Sequence, residues 1–571
     1  MTWKPWLGAV PDAQGTHFRV WVPKADSLAV RVLDGPTVSL QREGDGYFAG
    51  RAAGVQAGAR YFYRFLDGRE RPDPASLLQP EGVHGPSQVV DLSEIAPKSP
   101  RSRVPLPGLV FNEIHLGTYT GEGTADAAAR FMPELAEAGY TAVEVMPVAE
   151  FPGSRNWGYD GVALFAAHAG YGGPRGLARL VDAAHAAGLS AFLDVVYNHL
   201  GPEGNYLGEY GPYFTSRHKT PWGDAIDYSV APVRRHFLEN ALRWVSIAGA
   251  GFDGLRLDAV HGIHDDSPRH ILQEIAEAVH AEGALAIAES DLNDPKLIEQ
   301  YRLDGSWADD LHHALHVALT GESQGYYADF QDPLPKLAAA IERGWFYEGQ
   351  YKPGFKRPHG TPAAHLRPRH FVVCAQNHDQ IGNRASGERL TTLTDEGGVR
   401  AAAAVVALQP ALPLYFQGEE WGAREPFQYF ISHTDPALIE AVRKGRREEF
   451  KDFTWTDVPD PFAEETLRAS RIDRGRKDER ALQWHKALLK LRREHPALQD
   501  DSRKSVRASA QGKVLLMQRG PVLVAAAFDA QPSEARLPPG RWRVLLDSGA
   551  ARPGDERLRF RGRGAAVLEQ G

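Results

Sequence analysis

Between residue 110 and about 420, short apolar runs alternate eight times with stretches of helical character, and that rhythm constrains the fold more than any other feature of the chain. The runs are VFNEIHL (110–116), TAVEVMP (141–147), SAFLDVV (190–196), GLRLDAV (254–260), ALAIAE (284–289), GSWADD (305–310), FVVCAQNH (371–378) and PLYFQGEE (413–420). Runs this short and apolar suit strands buried on both faces, as parallel strands are, and parallel neighbours need a crossover between them. The expected crossovers are helices near 124–138, 174–187, 232–248, 268–282 and 398–408. Eight such units predict an α/β fold of the (β/α)8 TIM-barrel type. GSWADD carries the fewest apolar residues and defines its strand least sharply.

At 571 residues the chain exceeds one ordinary core, so two to four domains are expected. Residues 1–96 read as an N-terminal β-sandwich, because HFRVWVP (17–23), LAVRVLD (28–34) and YFYRFLDG (61–68) are short, aromatic-rich and separated by turn residues. Residues 97–109 hold Pro97, Pro100, Pro105 and Pro107 and read as a stiff linker. The barrel is expected over 110–485, and a C-terminal antiparallel β domain over 486–571, from KVLLMQR, VLVAAAF and RWRVLLD. Just before that, Trp484, Leu488 and Leu491 share one helical face. The intervals 197–231 and 343–370 are long for βα loops and would wall a cleft at the C-terminal strand ends.

Bulk properties exclude some function classes. A hydrophobic share of 43% with 24% charged residues fits a folded protein, and a net charge of -8 opposes a phosphate-backbone surface, so no nucleic acid is expected. The first residues, MTWKPWLGAVPDAQG, lack an apolar secretory core, and no run reaches the ~18–20 apolar residues of a membrane span. A cytoplasmic protein with no membrane partner is therefore expected. The single cysteine, Cys374, sits in an apolar run and suits a buried structural thiol.

Three of the apolar runs close on acids: Asp258, Glu289 and Asp379, the last ending FVVCAQNHD at 371–379. Unpaired buried charge is costly, so acids converging at strand ends point to chemistry rather than to packing. Alternation puts Arg256 on the same side of its strand as Asp258, where a guanidinium favours an ionised carboxylate. A structural Arg–Asp pair would look the same in sequence. Glu289 has no basic neighbour in sequence, so burial could keep it protonated, and an acid beside a nucleophile is what glycosidic cleavage requires.

The segments DVVYNH (194–199), GLRLDAVH (254–261), AES around Glu289 and QNHDQ (376–380) resemble, in order, the four signature regions of the α-amylase family of glycoside hydrolases. The resemblance implies Asp258 as nucleophile, Glu289 as acid and base, and Asp379 as the residue that binds and distorts the sugar. It further implies that Arg256, Asp194, His199, His378 and the platform residue Tyr159 line the subsite at the cleaved bond. EIHLGTYT (113–120), NWGYDGV (156–162), TPWGDAIDY (220–228), AESDLND (288–294) and GEEWGAREPFQYF (418–430) resemble the malto-oligosyltrehalose trehalohydrolases within that family. The N-terminal segment is similar to their starch-binding-like module.

That narrower resemblance implies cleavage of the α-1,4 bond next to a terminal trehalose unit, with malto-oligosyltrehalose and malto-oligosaccharides as ligands and no cofactor. It also implies a functional partnership with malto-oligosyltrehalose synthase. His261 and Asp291 become candidate contacts to the leaving trehalose, and Trp222 and Tyr228 candidate stacking residues, with core packing open for both. No metal site is expected. Many α-amylases bind calcium through the asparagine corresponding to Asn198, but the inserted domain that completes that site has no equivalent here, so Asn198 should make structural hydrogen bonds. His312 and His316 have a metal-compatible i, i+4 spacing but suit a core or surface role. Asp265 and Asp266 should open a helix. Two rivals share these motifs: a glucan branching enzyme, and a carbohydrate-binding protein on an inactive scaffold.

Overall fold

Eight parallel strands hydrogen-bond in chain order, and the last pairs with the first through Phe111 and Leu414, closing a barrel. They are Phe111–Ile114, Ala142–Val145, Ser190–Val195, Gly254–Leu257, Leu285–Ala288, Gly305–Trp307, Phe371–Cys374 and Leu412–Phe416. Each falls within one of the eight expected runs except at Leu412, which starts its strand one residue early, and GSWADD supplies the sixth strand. All of their residues except Leu285 are buried, as strands covered by helices outside and side chains inside must be. The computed structural model describes residues 3–102, 104–220, 223–449, 458–553 and 556–571.

Period-two alternation divides the barrel interior into two layers. The lower layer is apolar: Phe111, Ala142, Phe192, Ile287, Trp307, Cys374 and Leu414 form one buried cluster. Gly254 belongs to this level because the Phe192 ring occupies the space a side chain would need; a Cβ there would lie 2.1 Å from a ring carbon. Two residues further along the same strands, or just past their ends, stand Glu113, Glu144, Asp194, Arg256 and Glu289. One parity thus delivers an apolar plug below and a charged layer above it, at the C-terminal ends.

The surrounding helices include Gly173–Ala186, Ala231–Val245, Ile271–Ala281, Asp309–Thr320, Pro333–Arg343 and Glu396–Leu408. The single helix expected near 124–138 is instead two, Ala125–Ala129 and Met132–Ala138, the second with Pro133 in its first turn, where a missing N–H costs nothing. Asp265 and Asp266 do not open a helix. That helix starts at Ile271 with His270 as its cap, while Asp265 pairs with Arg234 at 2.7 Å and accepts the Ile271 N–H at 2.6 Å.

Before the barrel, two antiparallel sheets face each other. One orders Gly8–Asp12, Gly15–Trp21, Tyr47–Ala53 and Gln41–Arg42; the other orders Thr37–Ser39, Leu28–Val32, Arg60–Phe65 and Glu70–Arg71. Phe18, Val20, Val30, Tyr61 and Tyr63 are buried in the N-terminal core. The proline-rich stretch after them is fastened to the barrel: the Lys98 and Ser99 N–H groups each donate to Asp182 at 2.7 Å, and Arg101 donates to the Glu282 carbonyl at 2.7 Å.

At the other end, position 486 lies inside a continuous helix, Glu479–Glu494, whose Leu488 is buried and whose Trp484 donates to the Arg400 carbonyl. Arg492 and Arg519 cap the end of Glu396–Leu408 by donating to the carbonyls of Ala407, Leu408 and Gln409, joining the terminal antiparallel sheet to the barrel. That sheet orders Val506–Gln511, Val514–Arg519, Val522–Ala527, Gly564–Gln570 and Trp542–Asp547. Among the described residues no helix is long and apolar enough to cross a membrane.

Candidate active site

Arg256 is the centre of the charged layer. Its Nη1 donates to Asp194 Oδ2 and to Asp258 Oδ1, both at 2.7 Å, and its Nη2 lies 3.7 Å from Glu289 Oε2. The guanidinium is wholly buried, with its carbon 4.4 Å from the Trp307 ring centre, so its charge is screened little by solvent. The acid pair expected on adjacent strands therefore touches a single cation. Arg256 has three carboxylate neighbours where the sequence pattern suggested one.

Asp258 is held from its other side as well. Asn198 Nδ2 donates to the Asp258 carboxylate at 2.8 Å and to its carbonyl at 2.9 Å, so Asn198 makes structural hydrogen bonds directly to the candidate nucleophile. The next residue, Ala259, has φ +37°, a left-handed conformation that costs a side-chain-bearing residue on the order of 1–3 kcal/mol. The twist aims the Ala259 N–H at Glu289 Oε2, 2.6 Å away. Burial pushes the Glu289 carboxyl above its ordinary value; Arg256 pulls the other way, and Asp258 and Asp379 add to the rise.

Tyr159 Oη donates to Asp194 at 2.7 Å and accepts from His378 Nε2 at 2.7 Å, while the two rings stack at 24°. His378 Nδ1 bonds Glu113. Burial alone would lower this imidazole, but Glu113 and Asp379 outweigh it and raise it to about 9, leaving a cation that donates from both nitrogens. His199 Nε2 bonds the Tyr159 carbonyl at 2.8 Å and so fixes the platform ring from its backbone.

Asp379 does not terminate its strand. It lies five residues beyond Cys374, in the short helix His378–Gly382, whose cap Asn377 accepts the Asp379 N–H at 2.9 Å. Its side chain is 42% exposed against 14% for Glu289 and 12% for Asp258, and its Oδ1 is 3.6 Å from His378 Nε2. His261 and Asp291 form a half-exposed pair, 3.6 Å apart, and His261 is close enough to Glu289 to act on its charge. Tyr228 is not a stacking residue: it is buried and donates to the Tyr197 carbonyl at 2.7 Å. Trp222 lies outside the described residues.

The two spaced histidines are occupied elsewhere. His312 Nδ1 bonds the Ala375 carbonyl at 2.6 Å and His316 Nε2 bonds Glu322 at 2.9 Å, both buried in the core. Among the described residues no group of three or more His, Cys, Asp or Glu is arranged to hold a metal ion.

Two contributors escaped the sequence reading. Glu113, which holds His378, carried the signal used for Asp258, an acid within an apolar strand, but nothing in sequence tied it to His378. Trp307, beneath Arg256, could not be told from a core tryptophan.

The arrangement places two carboxyls on one buried cation, Asp258 in direct contact and Glu289 at 3.7 Å and raised by burial, beside a stacking platform and an exposed third acid, which is competent for cleavage of a glycosidic bond. Comparison with known proteins agrees. Residues 117–224 match the family model "Alpha amylase, catalytic domain". The malto-oligosyltrehalose trehalohydrolase of Deinococcus radiodurans is 45% identical over 89% of this chain and 86% of its own, and that of Saccharolobus solfataricus is 42% identical over 85% and 86%. The Arthrobacter ramosus relative of the same name is 41% identical over 97% of this chain and 99% of its own. A solved structure described as a putative alpha amylase from Salmonella typhimurium superposes with TM-score 0.92 at 36% identity, each chain fully covered. With relatives this similar along nearly their whole length, the chain belongs to the malto-oligosyltrehalose trehalohydrolase family.

Proposed function

We propose that the chain is a retaining glycoside hydrolase that cleaves the α-1,4-glucosidic bond next to the terminal trehalose unit of malto-oligosyltrehalose, releasing trehalose. The observation that carries this reading is the guanidinium of Arg256, which contacts Asp258 directly and reaches Glu289. Asp258 attacks the anomeric carbon and the glycosyl–oxygen bond breaks. Glu289 gives its proton to the departing trehalose oxygen, then takes one from the water that frees the glycan. Ala259 N–H occupies Glu289 Oε2, which leaves Oε1 to carry the proton. Asp379, exposed to the cleft, binds sugar hydroxyls. Tyr159 forms the platform, with Asp194, His199 and His378 fixing it.

The His261–Asp291 pair, at the Glu289 side of the site, supplies polar contacts for the 1,1-linked leaving sugar. Malto-oligosyltrehalose synthase would supply the substrate. The lone buried thiol of Cys374 suits a reducing cytoplasm, the compartment we propose.

Incubation with maltotriosyltrehalose and, separately, with amylose tests the reading. Equal amounts of trehalose and maltotriose are expected, the maltotriose initially as its α-anomer, with loss of release in Asp258→Asn. Branched products without free trehalose would make it a transglycosylase, and undiminished release by Asp258→Asn would remove the assigned nucleophile.

A further inference from the structure

Asp309 and Asp310 follow barrel strand six side by side and meet different fates. Asp310 is buried and saturated: its Oδ2 accepts the N–H groups of Phe346 and Tyr347, each at 2.8 Å, and Asn293 Nδ2 at 3.0 Å. It pins the start of the long loop after helix Pro333–Arg343. Asp309, the first residue of helix Asp309–Thr320, is only partly exposed, yet its carboxyl makes no hydrogen bond or ion pair among the described residues.

Its surroundings are those of the reaction site. Strand six lies between strand five, which leads to Glu289, and strand seven, which leads to Asp379. The charged and titratable groups that bear on Asp309 are Glu289, Asp379, its neighbour Asp310, Arg256 and the Cys374 thiol. Arg256 acts on its carboxyl less than Glu289, Asp379 and Asp310 do, and that guanidinium's hydrogen bonds go to Asp194 and Asp258. The other cation of the layer, His378, is engaged by Glu113 and Tyr159. An anion at 309 would therefore face three more carboxyls, those of Glu289, Asp379 and Asp310, without a hydrogen-bonded counterion. Burial, with Glu289 and Asp379, pushes the Asp309 carboxyl up to about 8.

We propose that Asp309 is a substrate-contact residue of this site, a neutral carboxylic acid that donates a hydrogen bond to an oxygen of the bound glucan. The proposal deepens the glycosidase reading and rests on it. A sugar hydroxyl offers both a proton and lone pairs, so a site that grips it benefits from one acceptor, here Asp379, and one donor, here Asp309. Its neighbour Asp310 cannot serve, since its acceptor oxygen is filled by the loop.

The test measures maltohexaose binding by calorimetry in a Glu289→Gln background, which stops turnover and removes that group's own titration. Affinity in this parent is expected to fall by about tenfold between pH 6 and pH 9.5 as the 309 proton is lost, the size of one neutral hydrogen bond. Adding Asp309→Asn keeps a donor but removes the titration at 309, so affinity at pH 6 stays within about threefold and the fall with pH shrinks to what Asp194 and His378, pushed up to about 7 and about 9, contribute. Adding Asp309→Ala costs about tenfold at pH 6. A flat profile in the parent, a slope undiminished by Asp309→Asn, or full affinity in a folded Asp309→Ala overturns the proposal. Because maltohexaose carries no trehalose, these outcomes are independent of trehalose release by the unmodified chain, whose failure would sink the function reading instead.

Discussion

Replacing Arg256 with methionine removes the cation that joins the site while keeping a side chain of similar length in the barrel. Two charge-assisted hydrogen bonds of 2.7 Å disappear, each worth about 1.5–3 kcal/mol, and the Glu289 contact at 3.7 Å goes with them. Breaking a buried ion pair by deleting one partner costs about 3–5 kcal/mol, because the other stays buried without compensation. If that loss falls on the transition state, kcat drops by about 10²–10⁴. Arg256→Lys keeps the charge, but one ammonium cannot bridge Asp194 and Asp258 in the guanidinium's geometry, so about 10–10² is lost. Trehalose release from maltotriosyltrehalose, followed with thermal unfolding, separates catalysis from folding. A folded Arg256→Met variant within about tenfold of the parent kcat would refute the reasoning, since neither the nucleophile nor the acid would then depend on the guanidinium.

Glu289 serves as acid only while protonated, and its folded pKa is raised by burial, so kcat should hold below that pKa and fall as pH rises through it; a kcat that stays flat as pH rises would remove Glu289 as the acid. Asn198→Ala should lower kcat by about 10–10² with little change in unfolding temperature, because two hydrogen bonds to Asp258 are lost at the rim of the core; an unchanged kcat would show that Arg256 alone orients the nucleophile. Glu150 is buried, and burial pushes it up to about 8, so the folded state binds more protons than the unfolded chain between the ordinary value near 4.5 and 8. Its contribution to stability is complete below that window and is lost as pH rises through it. Glu150→Gln should therefore gain stability relative to the parent on going from pH 5 to pH 8.5, by an amount on the order of a few kcal/mol, and denaturant melts at the two pH values that shift in parallel would contradict this.

The barrel was legible because its signal is repetition. Eight apolar runs each end within a few residues of their strands, and even GSWADD, which looks poor alone, is forced into place by Ile287 pairing with Gly305 on one side and Ser306 with Phe371 on the other. Asp258 and Arg256 were legible because parity on one short strand fixes their shared side. Asp379 was not, because the four residues between Cys374 and the acid leave the strand and turn into a capped helix, where period two no longer applies. Strand Tyr47–Ala53 was missed because YFAGRAA lacks β-branched residues and is held by its two neighbours rather than by propensity. Glu113 and His378 are 265 residues apart in sequence, and only barrel closure makes them a pair.

Closure also explains how one small volume contains so many acids without all of them ionising. Asp194 and Asp258 share the Arg256 guanidinium, and Glu113 has the His378 imidazole. Glu144, two residues above Ala142 in the same interior, has neither: both its oxygens lack a partner, and burial together with Glu113 drives its carboxyl far up. Glu289 touches the guanidinium only at 3.7 Å, and Asp309 feels it less still; both are raised by burial and by neighbouring carboxyls. Contact with a cation does not by itself set an acid's charge: Asp194 bonds Arg256 at 2.7 Å, yet burial pushes its carboxyl up to about 7, while Glu289 and Asp309, beyond contact, are raised as well. A nucleophile and a proton donor made of the same functional group need different surroundings, and here Asp258 has hydrogen bonds from Arg256 and Asn198, while Glu289 has the Ala259 N–H and a more distant guanidinium. Moving the arginine by one residue would turn its charge out of the barrel, removing from Asp258 the contact that most separates its surroundings from those of Glu289.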